Sequence, residues 1–142
     1  MLHITFQEIT VKTPRRLSFV DITKDIARVV KESAVTEGTV VIFVPHTTAA
    51  VTINENADPD VLTDLTTIFQ RLVPNLREYR HIEGNSDAHM MATLTGSSET
   101  LLVHQGKLFL GTWQSVYFAE FDGPRQRRVV VQVQGNVIKN NL

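Results

Sequence analysis

Three histidines of the chain lie beside polar segments: His46 in PHTTAAVTINENADPD (residues 45–60), His81 in HIEGNSD (81–87) and His89 in DAHMMATLTG (87–96). A neutral imidazole exchanges a proton close to physiological pH and binds zinc or another borderline divalent ion. Three such ligands with a fourth position left open would make a catalytic rather than a structural metal centre. Carboxylates and amides accompany them in sequence, with Asn54, Glu55 and Asp58 after His46, and Glu83, Asn85 and Asp87 between His81 and His89.

A plainer reading stands beside this one. Separations of 35 and 8 residues between the histidines follow no general metal-ligand rule, and a chain of this size carries a few histidines in any case. Asp58 and Asp87 have a sufficient role as helix caps, whereas Glu55 and Glu83 have none. Asn54 and Asn85 could hold loops or orient a ligand, and His3 and His104 fall inside strand patterns. Spacing alone therefore leaves a shared metal site and three independent histidines both open.

A second polar set lies in GTWQSVYFAEFDGPRQRR, residues 111–128. Gln114 and Glu120 share a strand face with Val116 and Phe118, while Trp113, Ser115, Tyr117 and Phe121 fall on the other. Arg125, Arg127 and Arg128 follow the turn, where guanidinium forks could match phosphate oxygens or simply stay solvated.

These residues need elements to position them. LHITFQEITV places Leu2, Ile4 and Phe6 on one face and Ile9 and Val11 on the other, which predicts a strand with a bulge near Glu8. DITKDIARVVKESAVTEG predicts a helix with a stripe of Ile22, Ile26, Val29 and Val30, capped by Asp21 or Thr23 and closed by Gly38. TVVIFV suits a central strand, and AAVTINE a second one after His46. DPDVLTDLTTIFQRLVP predicts a helix capped by Asp58 with Pro59 first, burying Val61, Leu62, Leu65, Ile68, Phe69 and Leu72. A short helix capped by Asp87 would turn Met90, Met91 and Leu94 inward and end at Gly96. From Glu99 on, strands follow one another, and DGPR (122–125) predicts a turn that makes the last two a hairpin. The class is α+β, one domain over residues 1–142, with a mixed or mostly antiparallel sheet and about three helices.

Composition narrows the partners. With 14 basic and 15 acidic residues the net charge is −1, which gives no footprint for nucleic acid or a membrane surface. No apolar run approaches the roughly 20 residues of a membrane span, and the N-terminus lacks the pattern of a signal peptide. The absence of cysteine excludes disulfides and thiolate metal sites and fits a cytoplasmic protein.

Taken together, PHTTAAVTINENADPDV, HIEGNSDAHMMATLTGSS and GKLFLGTWQSVYFAEFDGPR resemble the YjbQ family, an uncharacterised-protein family also known as secondary thiamine-phosphate synthase. The likeness runs from the first strand to VVVQVQG, and three blocks in order make it specific. It implies a homotrimer with pockets near subunit boundaries and a metal, zinc by preference, held by His46, His81 and His89. Thr47, Thr48, Asn54 and Glu55 would shape the pocket, and Asn85 and Gln114 would contact substrate. The implied activity, a transferase reaction, couples hydroxymethylpyrimidine diphosphate to thiazole phosphate and releases pyrophosphate. Arg125, and with it Lys107, would then hold phosphate oxygens, while Glu55 or Asp87 handles protons. A zinc-dependent hydrolase of a small phosphorylated or acylated metabolite, and a non-catalytic trimeric binding module, are the alternatives.

Overall fold

The computed structural model describes residues 1–138, so residues 139–142 of the expected domain lie outside the described ones. The element order is β1 (Leu2–Lys12), β2 (Ser18–Asp21), α1 (Thr23–Ser33), β3 (Glu37–Phe43), β4 (Ala49–Glu55), α2 (Pro59–Leu72), α3 (Ser86–Thr95), β5 (Ser98–His104), β6 (Lys107–Phe109), β7 (Gln114–Glu120) and β8 (Gln126–Asn136). The strands form two sheets, a five-stranded one ordered β1-β8-β3-β5-β6 and a three-stranded one ordered β2-β7-β4. Every pairing is antiparallel, so the α+β class with three helices is as expected. Among the described residues, no helix is long and apolar enough to cross a membrane.

The main core fills the space between the sheets. Ile26, Val29 and Val30 of α1 meet Val40 and Ile42 of β3, Val116 and Phe118 of β7, and Val129, Val131 and Val133 of β8. The expected stripe of α1 is thus the buried one. A second cluster covers the other face of the small sheet, where Ala88 and Met91 of α3 pack on Ala50, Ala119 and Phe121. Strand β7 is consequently covered on both faces, from Ser115 to Glu120.

Several local expectations are corrected. The last two strands are not a hairpin: β7 pairs with β2 and β4, and β8 with β1 and β3, so the DGPR turn carries the chain from one sheet to the other. Nor does β1 bulge. It pairs with β8 residue for residue from Leu2↔Asn136 to Lys12↔Gln126, and its two apolar sets lie on opposite faces. Ile9 and Val11 face the core, while Leu2, Ile4 and Phe6 join Val41, Phe43, Leu102 and Phe109 on an exposed outer face.

Helix α1 closes at Ala34, whose φ of 60° is left-handed, and not at Gly38. Gly38 instead stands opposite Gly135, where a Cβ would come within 2.0 Å of the Gln134 carbonyl oxygen. Only glycine lets the β3 and β8 backbones approach this closely. Helix α2 begins as expected, with Asp58 Oδ1 accepting the Asp60 N–H at 2.9 Å. None of its residues is fully buried, however, and Ile68 and Leu72 are 55% and 65% exposed. The helix rests at the margin of the small sheet through Phe69, which contacts Phe19 and Phe121. In α3 the capping position is Asn85, not Asp87, and of the three residues expected inward only Met91 is buried.

One polar group ties the two sheets. Glu120 at the end of β7 is fully buried and faces Arg127 of β8, whose side chain is 4% exposed. Arg127 donates to both carboxylate oxygens, at 2.8 and 2.6 Å, and through Nη2 to Thr48 Oγ1 at 2.8 Å. The Thr13 hydroxyl and the Asp122 N–H donate to the same carboxylate. Burial alone would raise the Glu120 pKa, but the bonds from Arg127, Asp122 and Thr13 outweigh it and the net shift is downward. Replacing Glu120 by Gln leaves a buried guanidinium uncompensated, and urea denaturation at neutral pH should report a loss of about 3–5 kcal/mol. A loss below about 1 kcal/mol would mean that water or another group compensates Arg127.

Candidate functional site

The connection from β3 to β4 carries Pro45, His46, Thr47 and Thr48 across the end of the sandwich. Half-buried His46 has its ring edge-on to Phe118, and its Nε2 accepts the backbone N–H of Arg128 at 3.0 Å. Burial and the Arg127 guanidinium hold its pKa below the ordinary histidine value. From the other side, the loop before α3 brings His81, and the first turn of α3 brings His89, with ring centroids 5.4 Å apart. Gly84, at a left-handed φ of 73°, bends this loop and donates its N–H to the His81 carbonyl.

The turn between β7 and β8 supplies the third wall. Asp122 accepts from Asn85 Nδ2 at 2.8 Å and from Arg125 at 3.2 Å, linking the start of α3 to the turn. Asn85 Oδ1 is buried with no hydrogen-bond partner among the described residues. These groups line a cleft of about 400 Å³ that contains His46, His81, His89, Thr47, Thr48, Asn85 and Arg125 together. A second lobe of about 390 Å³ shares His46, Thr47 and His89 and continues along Ala49, Ala92 and Gly96. A larger groove, about 700 Å³, runs between α2 and residues 15–19 and holds none of the expected site residues.

Other expected residues stand apart. Glu55 lies six positions along β4 from Ala49, about 20 Å at the usual rise per residue. There it pairs with Gln114 of β7, its backbone N–H bonds the Asn54 side chain, and its carbonyl accepts from Tyr117. Gln114 itself holds the Gly111 N–H. Asp87 is engaged by Arg16 through two bonds of 2.9 and 2.8 Å and is 3% exposed, so it anchors α3 to the segment before β2. Lys107 pairs with His104 in the β5–β6 ladder, outside the cleft. Glu55, Asn54, Gln114, Asp87 and Lys107 are thus not brought to the histidines.

Asp122 and Arg127 carry structural roles that their place in and after the turn does not announce. By sequence Asp122 belongs to the turn, and Arg127 is one of three arginines that could match phosphate oxygens or stay solvated. The available clue was Glu120, an acid at a core-facing position of a buried apolar strand, which requires a cationic partner.

Three imidazoles are a donor set that suits zinc. Among the described residues, however, no three His, Asp or Glu side chains are grouped closely enough to hold an ion. The Nε2 lone pair of His46 is moreover occupied by the Arg128 N–H. As the rings stand, a three-histidine centre would require His46 to give up this bond. What the cleft offers as it stands is hydrogen-bond donors and a cation for an oxyanion, and imidazoles for proton transfer.

Comparison with known proteins gives a consistent result. A family model, described as UPF0047 protein YjbQ-like, matches residues 7–136. UPF0047 protein MJ1081 of Methanocaldococcus jannaschii is 49% identical over 89% of this chain and 91% of its own length. UPF0047 protein YugU of Bacillus subtilis is 45% identical over 88% and 96%. Among solved structures, a YbjQ-like protein of unknown function from Sulfolobus solfataricus P2 superposes with a TM-score of 0.91 at 34% identity, covering 96% of this chain and all of that one. An uncharacterised conserved protein from Clostridium acetobutylicum gives 0.87 at 50% identity over 89% and 98%.

The lowered pKa of His46 has a sign that can be measured. Below about pH 6.5 the unfolded chain takes up a proton at this position that the folded one resists. The associated stability is therefore present above that pH and is lost as pH falls through the lower folded value. Urea midpoints at pH 7 and pH 5 should fall less in His46→Asn than in the wild type. Equal falls would mean that His46 titrates as a free histidine.

Proposed function

The chain belongs to the UPF0047 family of YjbQ-like proteins, and on that premise we propose that it is an enzyme acting on a small phosphorylated metabolite in the His46–His81–His89 cleft. The observation that carries this reading is the convergence of three imidazoles, Asn85 and Arg125 on one cleft. Arg125 keeps part of its guanidinium uncommitted after bonding Asp122 and is half exposed, which suits capture of a phosphate oxygen.

The reaction we assign is the coupling that forms thiamine phosphate. A thiazole nitrogen attacks the methylene carbon of hydroxymethylpyrimidine diphosphate, the C–N bond forms, the C–O bond breaks, and pyrophosphate departs with the electron pair. No proton is consumed in this step, so the protein's task is to align two substrates and stabilise charge on the departing oxygen. Two lobes meeting at His46 and His89 provide room for two partners, and Arg125 lines the polar lobe. His81 and His89 are the imidazoles left for a divalent metal, zinc by its preference for nitrogen ligands, and no step is assigned to the ion. Glu83, in the same cleft, favours a second reading, hydrolysis of a single substrate with this carboxylate as base.

We further propose a homotrimer in the cytoplasm. On the outer face of the five-stranded sheet, exposed Leu2, Ile4 and Phe6 of β1 and Val41, Phe43, Leu102 and Phe109 of β3, β5 and β6 flank the glutamines Gln132 and Gln134 of β8, and exposed apolar side chains in such number mark an interaction surface. Other copies of the chain are the assigned occupant.

Three measurements test these assignments. Pyrophosphate release should need both substrates together; turnover of one in water would favour the hydrolase, and ligand-induced stabilisation without product a binding module. Arg125→Ala should lower kcat/KM roughly 10–150-fold, the equivalent of a charged hydrogen bond of about 1.5–3 kcal/mol. Light scattering should give three times the chain mass for the wild type and a smaller mass for Phe6→Asp; a monomeric wild type would overturn the trimer.

A further inference from the structure

The bond between Arg128 and His46 closes a gap in the sheet. Pairing of β3 with β8 ends at Phe43↔Val130, while β8 continues to Gln126 alongside β1. Two residues beyond the last pair, the Arg128 N–H has no strand partner on the β3 side among the described residues. The imidazole of His46, three residues after Phe43, sits there instead, with Nε2 at 3.0 Å from the Arg128 nitrogen. It serves as the acceptor that the next carbonyl of the ladder would have been.

An N–H must donate, so Nε2 is the unprotonated nitrogen and the single proton of the neutral ring lies on Nδ1. The edge-on contact with Phe118 at 6.5 Å restrains the ring from the side. No protein acceptor takes the Nδ1–H among the described residues, and the side chain lines both lobes of the cleft. A metal needs a lone pair. Ligation through Nε2 would break the ladder bond, and ligation through Nδ1 would force a proton onto Nε2, facing the Arg128 N–H.

We propose that His46 is a fixed-tautomer donor, presenting Nδ1–H to a phosphoryl oxygen of the substrate, and that it is not a third metal ligand beside His81 and His89. The phosphoryl acceptor rests on the function proposed above; the tautomer does not. In this role Nε2 belongs to the fold and Nδ1 to the ligand, so the sheet itself sets which nitrogen carries the proton.

Long-range proton–nitrogen correlation of the imidazoles tests this on uniformly ¹⁵N-labelled full-length protein at pH 7.5. The His46 signals are assigned by their absence in His46→Asn. The expected result is an Nδ1–H pattern for His46 in metal-free protein. Added Zn²⁺ should shift or broaden His81 and His89 but not His46, and inorganic pyrophosphate should move the His46 Hδ1 resonance downfield. Zinc affinity should stay within about twofold in His46→Asn, which keeps an N–H near the Nδ1 position, and weaken about tenfold or more in His89→Ala.

An Nε2–H pattern, a stoichiometric zinc shift at His46, or zinc loss in His46→Asn matching that in His89→Ala would overturn the proposal. So would an Hδ1 resonance unmoved by saturating pyrophosphate. If zinc moved none of the three histidines, the metal would drop out of the functional reading, while an Nδ1–H pattern with the pyrophosphate shift would still support the assignment of His46.

Discussion

Two sheets of different size can share a core only if their chain crossings are held in register, and here the Glu120–Arg127 pair sets that register. Glu120 ends the central strand of the small sheet and Arg127 lies near the start of β8, an interior strand of the large one. Thr13, just after β1, and Thr48, just before β4, complete its hydrogen bonds. Three connections between the sheets, β1–β2, β3–β4 and β7–β8, therefore meet at one buried polar knot. An ion pair so buried adds little net stability compared with a well-packed apolar substitute. Its value lies in direction, since a bidentate fork tolerates fewer arrangements than apolar packing does.

The cleft inherits its shape from that knot. Thr48 holds the end of the loop that carries His46, and Asp122 donates its N–H to Glu120 while its side chain reaches Asn85 and Arg125. Helix α3, which carries His89, is moored separately, by Asp87 to Arg16 and by Met91 in the second core. The polar residues next to the histidines are thus largely occupied in building the walls. Fewer remain to touch a ligand than their number suggests.

Local chemistry was legible in the sequence wherever a residue acts on its neighbours. Asp58 and Pro59 start α2, Gly96 ends α3, and the stripe of α1 faces the core. The three histidines could be picked out by type and by the polar segments around them, and they do share a cleft. Long-range decisions were not legible. DGPR announces a reversal of direction but not which sheet receives the next strand. Apolar periodicity marks α2 as amphipathic without saying that its stripe is left half covered. Glu55 is nine residues from His46 in sequence, but an extended strand converts that closeness into distance. The Nε2 bond of His46 depends on where β3 stops pairing, which no spacing rule contains.

The order of the large sheet has a consequence for the time course of folding. Strand β8, the last described strand, lies between β1 and β3, two of the earlier ones. During synthesis β1 and β3 therefore lack their common partner until residues 126–136 are available. Arg127, the partner of Glu120, and the Arg128 N–H arrive with the same strand. Strand β8 thus brings the link between the sheets and the group that orients the imidazole together. A chain lacking residues 126–136 would combine open edges on β1 and β3 with a His46 imidazole that has lost its backbone donor, an arrangement prone to aggregation.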